Sequence, residues 1–322
     1  MQSYWIVPTA TGVALERRDV PRPEPKEGQL QVAVKATSFN RGEMIVSRGA
    51  HAPAVKTAGG DCAGEVTAVG PGVTSFAVGQ RVMGRCAGGF AEYATMDARE
   101  ALRIPARLSW EQAAAIPLSF MVVHDMLVTH GHLQSGEWLL ITGVSSGVGV
   151  AALQVGKLLG AKVIGTSGST EKLSRLKQLG LDVGVPTRGT GFHEPVMQAT
   201  GGTGVNLVVN NVGGTVFAEC IRCLAYEGRL ATVGYLDRTL TAEIDLAALH
   251  AKRLQLFGVS NKLRPPEQRA ETVRGFERDF LPYFADGRIT PVIDRVFAFD
   301  EIPAALAYFE SNAMLGKVVV RL

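Results

Sequence analysis

Cysteine is scarce in this sequence, and the few cysteines present do not form the ligand set of a metal site. The four are Cys62, Cys86, Cys220 and Cys223. The last two have the C-x-x-C spacing of redox and zinc motifs, but no second C-x-x-C completes a tetrahedral site, and the local pattern predicts a helix over 216–225. We therefore expect this pair to be packing residues, with a redox or zinc role as the alternative.

The sequence also lacks a strong excess of charge and any long apolar run. Its formal net charge is +3 over 322 residues, which is too small to indicate a nucleic acid or an anionic membrane as a partner. No run reaches the roughly 18 apolar residues of a membrane-spanning helix, and the opening MQSYWIVPTATG has no secretory pattern. These features predict a cytoplasmic protein that binds neither nucleic acid nor membrane.

The first third of the chain has the pattern of a β-rich domain. The whole sequence is 46% hydrophobic and 20% charged, which is typical of a globular protein long enough for two domains. The segment QLQVAVK at 29–35 alternates with period two, and further short strands are predicted at 65–69, 80–83 and 91–96. Glycines and prolines between these segments predict long loops.

From about residue 109 the pattern changes to alternating strands and helices. A helix from Trp110 is interrupted at Pro117. The strands that follow are predicted at 138–142, 162–166, 182–185, 206–210, 229–233 and 254–259, and the helices at 147–160, 170–180, 191–200, 214–225 and 243–251. Six strands with five crossovers predict an α/β fold with the doubly wound parallel sheet of a Rossmann domain. The tail from residue 289 returns to strand, helix and strand, and is too short to fold alone, so we expect it to dock on the first domain.

One stretch within this alternation carries the chemistry of a dinucleotide site. The run WLLIT at 138–142 is followed by a small-residue turn, a helix and a second strand, which together form a βαβ unit. Gly147 and Gly149 leave space for backbone N–H groups to approach a pyrophosphate, and the helix dipole adds positive potential. We expect contacts from Ser146, Gly147 and Val148. The spacing is G-x-x-x-G-x-G rather than G-x-G-x-x-G, so a tight turn without a ligand is the alternative.

Several short motifs resemble those of one enzyme family. They are GDCAGEV at 60–66, VG at 69–70, GQRV at 79–82, GGFAEY at 88–93, NNVGG at 210–214, GRL at 228–230 with Gly234, and GKVVV at 316–320. Their order over nearly the whole chain resembles the medium-chain dehydrogenase/reductase superfamily, and in particular its zinc-independent quinone oxidoreductase branch. The resemblance implies a β-rich, GroES-like catalytic domain over 1–120 and 263–322 and a Rossmann domain over 121–262. It also implies a cleft that holds nicotinamide and substrate, and further cofactor contacts from Asn211, Gly234 and Lys317.

The sequence departs from the zinc-dependent members of this family. Those members carry cysteine near Phe39 and Asn40, His-Glu in place of Gly60 and Asp61, and a four-cysteine lobe that this chain lacks. Neither zinc site can be assembled from the residues present. We therefore predict no metal.

The end of the second Rossmann strand predicts which nucleotide is bound. NAD-selective folds place a carboxylate there to hold the ribose 2′-hydroxyl. Here the strand ends GTS at 165–167, and Lys172 follows within the first turn of the next helix. In the family this Ser/Lys arrangement, Ser167 with Lys172, marks NADPH. The alternative is that Ser169 or Thr170 caps the helix and Lys172 is a solvated charge.

Without a metal, the reacting carbonyl must be polarised by hydrogen-bond donors. Asn40 occupies the place of a cleft asparagine in the family and would orient nicotinamide or substrate, with helix capping as the alternative. Two tyrosines of the quinone reductase cleft are replaced by Ile45 and His51. We name His51 as a candidate proton donor, with a solvated loop histidine as the alternative.

These features predict an NADPH-dependent reductase of a small-molecule quinone or α,β-unsaturated carbonyl. The alternatives are a pathway-specific enoyl thioester reductase and an NADPH-binding protein with little turnover that acts through a partner. Family members commonly pair through the edge strands of their Rossmann sheets. The apolar segment LQLFGVS at 254–260 is the predicted edge, so we expect a homodimer.

Overall fold

The computed structural model describes residues 1–9, 13–45 and 55–322 of the chain, and for residues 44 and 45 the backbone alone. Two compact units are present. One is made of residues 1–121 and 265–322, and the other of residues 122–264. The second unit is therefore an insertion in the chain of the first.

The first unit begins with eight strands and short helices. The strands are β1 (Gln2–Pro8), β2 (Val13–Asp19), β3 (Gln29–Ser38), β4 (Lys56–Thr57), β5 (Asp61–Val69), β6 (Arg81–Arg85), β7 (Tyr93–Asp97) and β8 (Ala101–Arg103). The helices are α1 (Arg41–Ile45), α2 (Trp110–Ala114) and α3 (Pro117–His124), with a 3₁₀ turn at Ala98–Glu100. Helix α3 starts at Pro117 because proline is tolerated at the first helical position but not inside a helix.

The inserted unit contains the parallel sheet that the sequence predicts. Its strands are β9 (Trp138–Thr142), β10 (Lys162–Ser167), β11 (Val183–Pro186), β12 (Val205–Asn210), β13 (Leu224–Thr232) and β14 (Gln255–Gly258). Its helices are α4 (Gly147–Leu158), α5 (Thr170–Lys177), α6 (His193–Ala199), α7 (Phe217–Cys223) and α8 (Leu246–Ala251). A π-helix at Asp125–Thr129 and a 3₁₀ turn at Gly214–Val216 complete the unit. All neighbouring strands are parallel and lie in the order β11-β10-β9-β12-β13-β14, which is the Rossmann order.

The last part of the chain completes the first unit. Its elements are α9 (Pro266–Asp279), α10 (Leu281–Asp286), β15 (Ile293–Ala298), a 3₁₀ turn (Phe299–Glu301), α11 (Ile302–Glu310) and β16 (Lys317–Arg321). Strand β16 pairs antiparallel with β3 and parallel with β15. The main sheet of the unit has the order β15-β16-β3-β5-β6-β8, with β7 also paired to β3. A second sheet has the order β2-β1-β4. The tail therefore docks on the first unit, as predicted.

Each unit has its own apolar core. In the first unit, Phe39, Phe90 and Phe309 pack together, with Phe39 4.7 Å and 5.4 Å from the other two ring centroids. In the inserted unit the core residues come from the β-strands and from α6 and α7, and they include Cys220 and Cys223. Burial raises the pKa of the Cys223 thiol to about 12 and that of Cys220 above its ordinary value, so both are unreactive packing residues.

An ion pair joins the first and the last segment of the inserted unit. Asp125, in the π-helix that follows its first residues, is buried, and its carboxylate lies 3.3 Å from the guanidinium of Arg264, the last residue of the unit. The His130 imidazole lies 3.7 Å from the same carboxylate. This ion pair closes the inserted segment on itself. Among the described residues, no helix combines the length and the apolar character that a membrane crossing would need.

Candidate functional site

The turn between β9 and α4 is held by hydrogen bonds to the neighbouring strand. The N–H of Gly143 donates to Thr166 Oγ1 at 3.1 Å, and the N–H of Val144 donates to the Thr166 carbonyl at 2.9 Å. Ser146 is the N-cap of α4, and its Oγ accepts the N–H of Gly149 at 3.1 Å. The sequence prediction of strand, turn and helix over this stretch is confirmed, and the helix ends two residues earlier than predicted.

The first backbone N–H groups of α4 are available as hydrogen-bond donors. Within the described parts of the chain, neither Gly147 nor Val148 donates its backbone N–H to a hydrogen bond. They lie at the positive end of a twelve-residue helix, where an anion is favoured. The turn therefore offers two aligned donors and a favourable dipole to a phosphate group.

Gly149 has a different role from the one that the sequence suggests. A Cβ on this residue would lie 2.6 Å from the Gly143 carbonyl oxygen and 2.7 Å from that of Val144. Both are backbone atoms of the same turn, so glycine is needed here for the helix to pack against the turn rather than for the approach of a ligand.

Ser167 ends β10 beside this turn. Its side chain is buried, its Oγ lies 3.2 Å from Ser145 Oγ, and it accepts the N–H of Ser169 at 3.4 Å. Ser169 is the N-cap of α5, and its Oγ accepts the backbone N–H of Lys172 at 3.2 Å. Ser169 therefore caps α5, as one of the alternatives stated, whereas the side chain of Ser167 contacts Ser145 in the turn. No carboxylate lies at the end of the strand, since the first acidic residue after it is Glu171 in α5.

Asn211 and Gly234 lie at the same carboxyl edge of the sheet. Asn211 follows β12, and its Nδ2 donates to the Thr142 carbonyl at 2.9 Å while its N–H donates to Thr142 Oγ1 at 3.1 Å. Its Oδ1 accepts no hydrogen bond from the described residues. A Cβ on Gly234 would lie 3.3 Å from the Asn211 carbonyl oxygen. The structure thus brings together six of the predicted cofactor residues around the turn: Ser146, Gly147, Val148, Ser167, Asn211 and Gly234.

The first unit contains a second group of polar residues, which we call the buried polar cluster: Ser38, Asn40, Glu43, Asp61 and Lys317. The Lys317 ammonium donates to the Phe39 carbonyl at 3.0 Å and to Asn40 Oδ1 at 2.8 Å. The Asn40 amide Nδ2 donates to the Ser38 carbonyl at 3.3 Å and to Glu43 Oε1 at 3.2 Å. Ser38 Oγ donates to the Asp61 carboxylate at 2.9 Å. Lys317, predicted to bind the cofactor, therefore lies with Asn40 in the first unit.

The charges of the buried polar cluster perturb one another. Burial, together with the negative charge of Asp61, raises the pKa of Glu43 to about 7. Burial also raises the pKa of Asp61, against the lowering effect of the Lys317 charge. Burial lowers the pKa of Lys317, and the negative charges of Asp61 and Glu43 oppose this by raising it. Glu43 is thus the group of the cluster that changes its protonation state near neutral pH.

Asn40 is positioned by this cluster and does not cap the following helix with its side chain. Both of its N–H bonds and one lone pair of Oδ1 are engaged, which fixes the orientation of the amide. The second lone pair of Oδ1 can accept one further hydrogen bond. His51 lies outside the described residues, and Ile45 is described by its backbone in α1 alone, so both remain sequence predictions.

Comparison with known proteins places this geometry in a family. The model of the alcohol dehydrogenase GroES-like domain matches residues 26–106, and that of the zinc-binding dehydrogenase matches residues 147–274. The solved structure of an NAD-dependent alcohol dehydrogenase is 30% identical, with a TM-score of 0.86 and full coverage of both chains. The chain belongs to the medium-chain dehydrogenase/reductase superfamily. The predicted fold, a Rossmann domain with a GroES-like domain, is confirmed.

Other known proteins are similar to most of the chain. Mycobacterial Rv1454c, solved in complex with NADPH, is 26% identical with a TM-score of 0.89, and each chain is covered in full. The quinone oxidoreductase-like protein 2 homolog of Nematostella vectensis is 29% identical over 91% of this chain and 81% of its own length. The reducing polyketide synthase PKS1 of Cochliobolus heterostrophus is 31% identical over 91% of this chain. The chain spans only 12% of the length of that synthase.

The residues of this medium-chain dehydrogenase/reductase do not fit a zinc ion. Asp61, predicted to replace a zinc ligand of the family, accepts a hydrogen bond from Ser38, and the Lys317 ammonium belongs to the same cluster. A buried cation repels a second cation, and Asn40 and Lys317 are not zinc ligands. Over residues 1–9, 13–45 and 55–322, no group of three or more His, Cys, Asp or Glu side chains is placed to hold a metal ion.

Three members of the buried polar cluster, Ser38, Glu43 and Asp61, were not predicted as site residues. Asp61 was considered only as a replaced zinc ligand. The spacing of Glu43 three residues after Asn40 is a local feature that could have indicated the contact, because the first turn of α1 brings the residue before the helix next to residue 43. The contact between Lys317 and Asn40 joins residues 277 positions apart and has no local pattern.

Proposed function

We propose that this medium-chain dehydrogenase/reductase is an NADPH-dependent reductase that transfers hydride to a quinone or an α,β-unsaturated carbonyl compound without a metal ion. The observation that carries the proposal is the turn after β9. It presents the open N–H groups of Gly147 and Val148 next to Ser167, and no carboxylate follows β10. A diphosphate accepts from such donors, and a 2′-phosphate is not repelled there.

The cofactor would supply the hydride, and the chain would bind and orient it. Backbone N–H groups of α4 would hold the diphosphate, and Ser167 with Lys172 the 2′-phosphate. Asn211 Oδ1 would accept from the cofactor, since its amide nitrogen is held by Thr142. The NADPH complex of the similar mycobacterial protein supports this choice of nucleotide, whereas the similar alcohol dehydrogenase carries the description NAD-dependent.

The buried polar cluster would orient the reacting groups. Because both amide hydrogens of Asn40 are engaged, this side chain acts as an acceptor through the free lone pair of Oδ1. An acceptor in that position suits the carboxamide N–H₂ of nicotinamide or a hydroxyl of the substrate. His51 is the proposed donor of the proton that neutralises the product anion, because an imidazolium can release a proton near neutral pH.

A second candidate substrate class is an enoyl thioester. The similarity to a segment of a reducing polyketide synthase over 91% of this chain favours it. Reduction of an enoyl thioester is the same conjugate transfer of hydride, so the cofactor site and the cluster would act in the same way. The third hypothesis, an NADPH-binding protein with little turnover that acts through a partner, predicts binding of NADPH without reduction of any of these substrates.

An oxidation assay would test the proposed function. NADPH consumption would be followed at 340 nm with quinones, enones and enoyl thioesters, with and without a chelator. We expect turnover that the chelator does not change. Fluorescence titrations should give tighter binding of NADPH than of NADH, and Ser167→Ala should weaken binding of NADPH alone. Chelator-sensitive turnover, or equal affinity for the two nucleotides, would contradict the proposal.

We also propose a homodimer that forms through β14. This strand ends the sheet order of the inserted unit, and its residues Leu256 and Phe257 are only half-buried. An edge strand with apolar side chains is a common pairing surface. Light scattering should give twice the mass of the chain, and a monomer mass would remove the proposal.

A further inference from the structure

The loops that follow β12 and β13 lie side by side at the carboxyl edge of the parallel sheet. The two strands are neighbours in this sheet, and Asn210 pairs with Thr232 at their ends. The N–H of Val233 donates to the Asn210 carbonyl at 3.0 Å and continues the pairing by one residue. Because this edge of a doubly wound sheet lines the ligand crevice, the two loops form part of its wall.

Asp237, in the loop after β13, joins the two loops. Its Oδ2 accepts hydrogen bonds from the N–H of Thr215 at 2.8 Å and from the hydroxyl of Thr215 at 2.5 Å. Its Oδ1 accepts the N–H of Thr239, within its own loop, at 2.9 Å. Its backbone N–H donates to the Val212 carbonyl, in the loop after β12, at 2.9 Å. We call these four hydrogen bonds the Asp237 joint.

Two glycines of the motif NNVGG make room for the Asp237 joint. Gly213 has a φ of +127°, which residues with a side chain rarely adopt. A Cβ built on Gly213 would overlap Asp237 Oδ1 and lie 2.8 Å from Asp237 Cγ. A Cβ on Gly214 would lie 2.5 Å from the Thr241 carbonyl oxygen, in the same loop as Asp237. The two glycines therefore permit the close approach of the loops.

The joined loops reach the turn between β9 and α4. A Cβ built on Gly143, in this turn, would be 3.6 Å from Leu236 Cδ1, 3.6 Å from Val212 Cγ2 and 3.8 Å from Asn211 Cβ. Leu236 directly precedes Asp237 and is 36% exposed. Side chains from both loops thus lie beside the turn that is proposed to bind the diphosphate. A partly apolar surface of this kind suits a flat ring such as nicotinamide.

The order of the strands separates the two halves of the proposed cofactor. Strand β9 lies between β10 and β12, and the diphosphate would lie at the turn after β9. Since the proposed contacts of the ribose 2′-phosphate are at the end of β10, the nicotinamide half would extend to the other side of β9. The loops that Asp237 joins are on that side.

We propose that Asp237 is a positioning residue for the nicotinamide half of NADPH, because it holds Asn211, Val212 and Leu236 in one wall of the crevice. This inference rests on the proposed function. Asp237 acts through these residues and needs no contact with the cofactor. Because Asp237 and NADPH are both negatively charged, a purely electrostatic effect of removing the carboxylate would strengthen binding. The positioning role predicts weaker binding, since the loops would have to be ordered by the cofactor itself.

The test compares two ligands by isothermal titration calorimetry of the pure protein. One is NADPH, and the other is adenosine 2′,5′-bisphosphate, which corresponds to the adenosine half alone. Asp237→Ala removes the hydrogen bonds of the carboxylate, and we expect roughly tenfold to fiftyfold weaker binding of NADPH. Binding of the bisphosphate should stay within about twofold of that of the wild type, since this ligand does not extend to the joined loops.

Thr215 provides a second, milder pair of variants. Thr215→Val removes the hydroxyl that donates to Asp237 and should weaken binding of NADPH by roughly threefold to tenfold. Thr215→Ser keeps that hydroxyl and should bind NADPH as tightly as the wild type. Neither variant should change binding of the bisphosphate.

Glu243→Ala is the matched control, since it removes a negative charge from an exposed carboxylate of the same unit. It should change neither affinity by more than about twofold. The inference is overturned if Asp237→Ala binds NADPH as tightly as the wild type, or if it loses affinity for the bisphosphate by the same factor. A wild-type protein that binds neither ligand would instead overturn the proposed cofactor, so the two failures are distinguishable. Circular dichroism of each variant would verify that it is folded.

Discussion

The turn after β9 offers backbone groups, whereas the buried polar cluster consists of side chains. The turn is contiguous in sequence, running from Thr142 to Gly149, and it offers backbone N–H groups. The cluster is made of side chains from three separate segments, residues 38–43, Asp61 and Lys317. A site made of backbone needs small residues at fixed spacing. A site made of charged side chains needs the finished sheet to bring them together.

The stabilities of the two regions should therefore respond to different changes. The turn depends on a close approach of neutral backbone atoms, so added volume should disturb it and a change of pH should not. The cluster buries two carboxyl groups and one ammonium group, so it should respond to the removal of a charge or to a change of pH. The three predictions below test this contrast.

The largest effect is expected for Lys317→Met. The substitution keeps an apolar side chain of similar length and leaves Asp61 and Glu43 without their cation. The change leaves the buried Phe39 carbonyl and Asn40 Oδ1 without their charged donor and removes the positive charge that lowers the pKa of Asp61. Each buried polar group left unpaired costs about 1–3 kcal/mol, so we expect a loss of roughly 3–5 kcal/mol in urea unfolding. Lys177→Met, at an exposed lysine of α5, should cost little. A loss below about 1 kcal/mol would show that the cluster is held by something other than its charges. Adding Asp61→Asn to Lys317→Met should recover part of the loss.

A smaller effect with a defined pH dependence is expected for Glu43→Gln. The pKa of Glu43 is raised to about 7, from about 4.3 in an unfolded chain. The folded state therefore holds the proton more tightly. The resulting stabilisation is complete below the unfolded pKa and is lost as the pH rises through about 7. Glutamine stays neutral, so the variant should be more stable than the wild type by about 2–3 kcal/mol at pH 8, with the difference shrinking towards acid pH.

Urea unfolding at several pH values between 5 and 8 would measure this difference. Glu24→Gln, at an exposed carboxylate, is the matched control and should show no such pH dependence. A constant difference between Glu43→Gln and the wild type over this range would contradict the assignment of a raised pKa to Glu43.

The smallest effect on stability is expected for Gly149→Ala in the turn. The new Cβ would meet two backbone carbonyl oxygens at 2.6–2.7 Å, and overpacking of this kind costs roughly 1–3 kcal/mol. The loss should be the same at pH 6 and pH 8, and NADPH affinity should fall because the first turn of α4 must shift. A Cβ on Gly42 would lie within 4 Å of none of the residues that the structure describes, so Gly42→Ala should be neutral. If Gly149→Ala proved pH-dependent, the contrast between the two regions would fail.

The turn and the sheet around it could be predicted from the sequence because their pattern is local. Strand β9, the turn and β10 lie within one residue of their predicted bounds, and the order of the six strands follows from the crossovers. Ser167 at the strand end is confirmed in its position. Glycine spacing and apolar runs carry this information, since each refers only to residues a few positions apart.

Other parts of the fold were not predicted, for reasons of tertiary structure. Helices α9 and α10 have no counterpart in the prediction, since α9 is dominated by charged residues and α10 is only six residues long with a proline in its first turn. The Asn40 amide is oriented by Lys317, which is 277 residues away and reaches it only because β16 pairs with β3.

The ion pair between Asp125 and Arg264 has a consequence for how such a chain can be made and inherited. Because the entry and the exit of the inserted segment are tied together, this segment can complete its fold during synthesis before the last strand of its host leaves the ribosome. A segment that closes on itself can also be exchanged between genes as one piece.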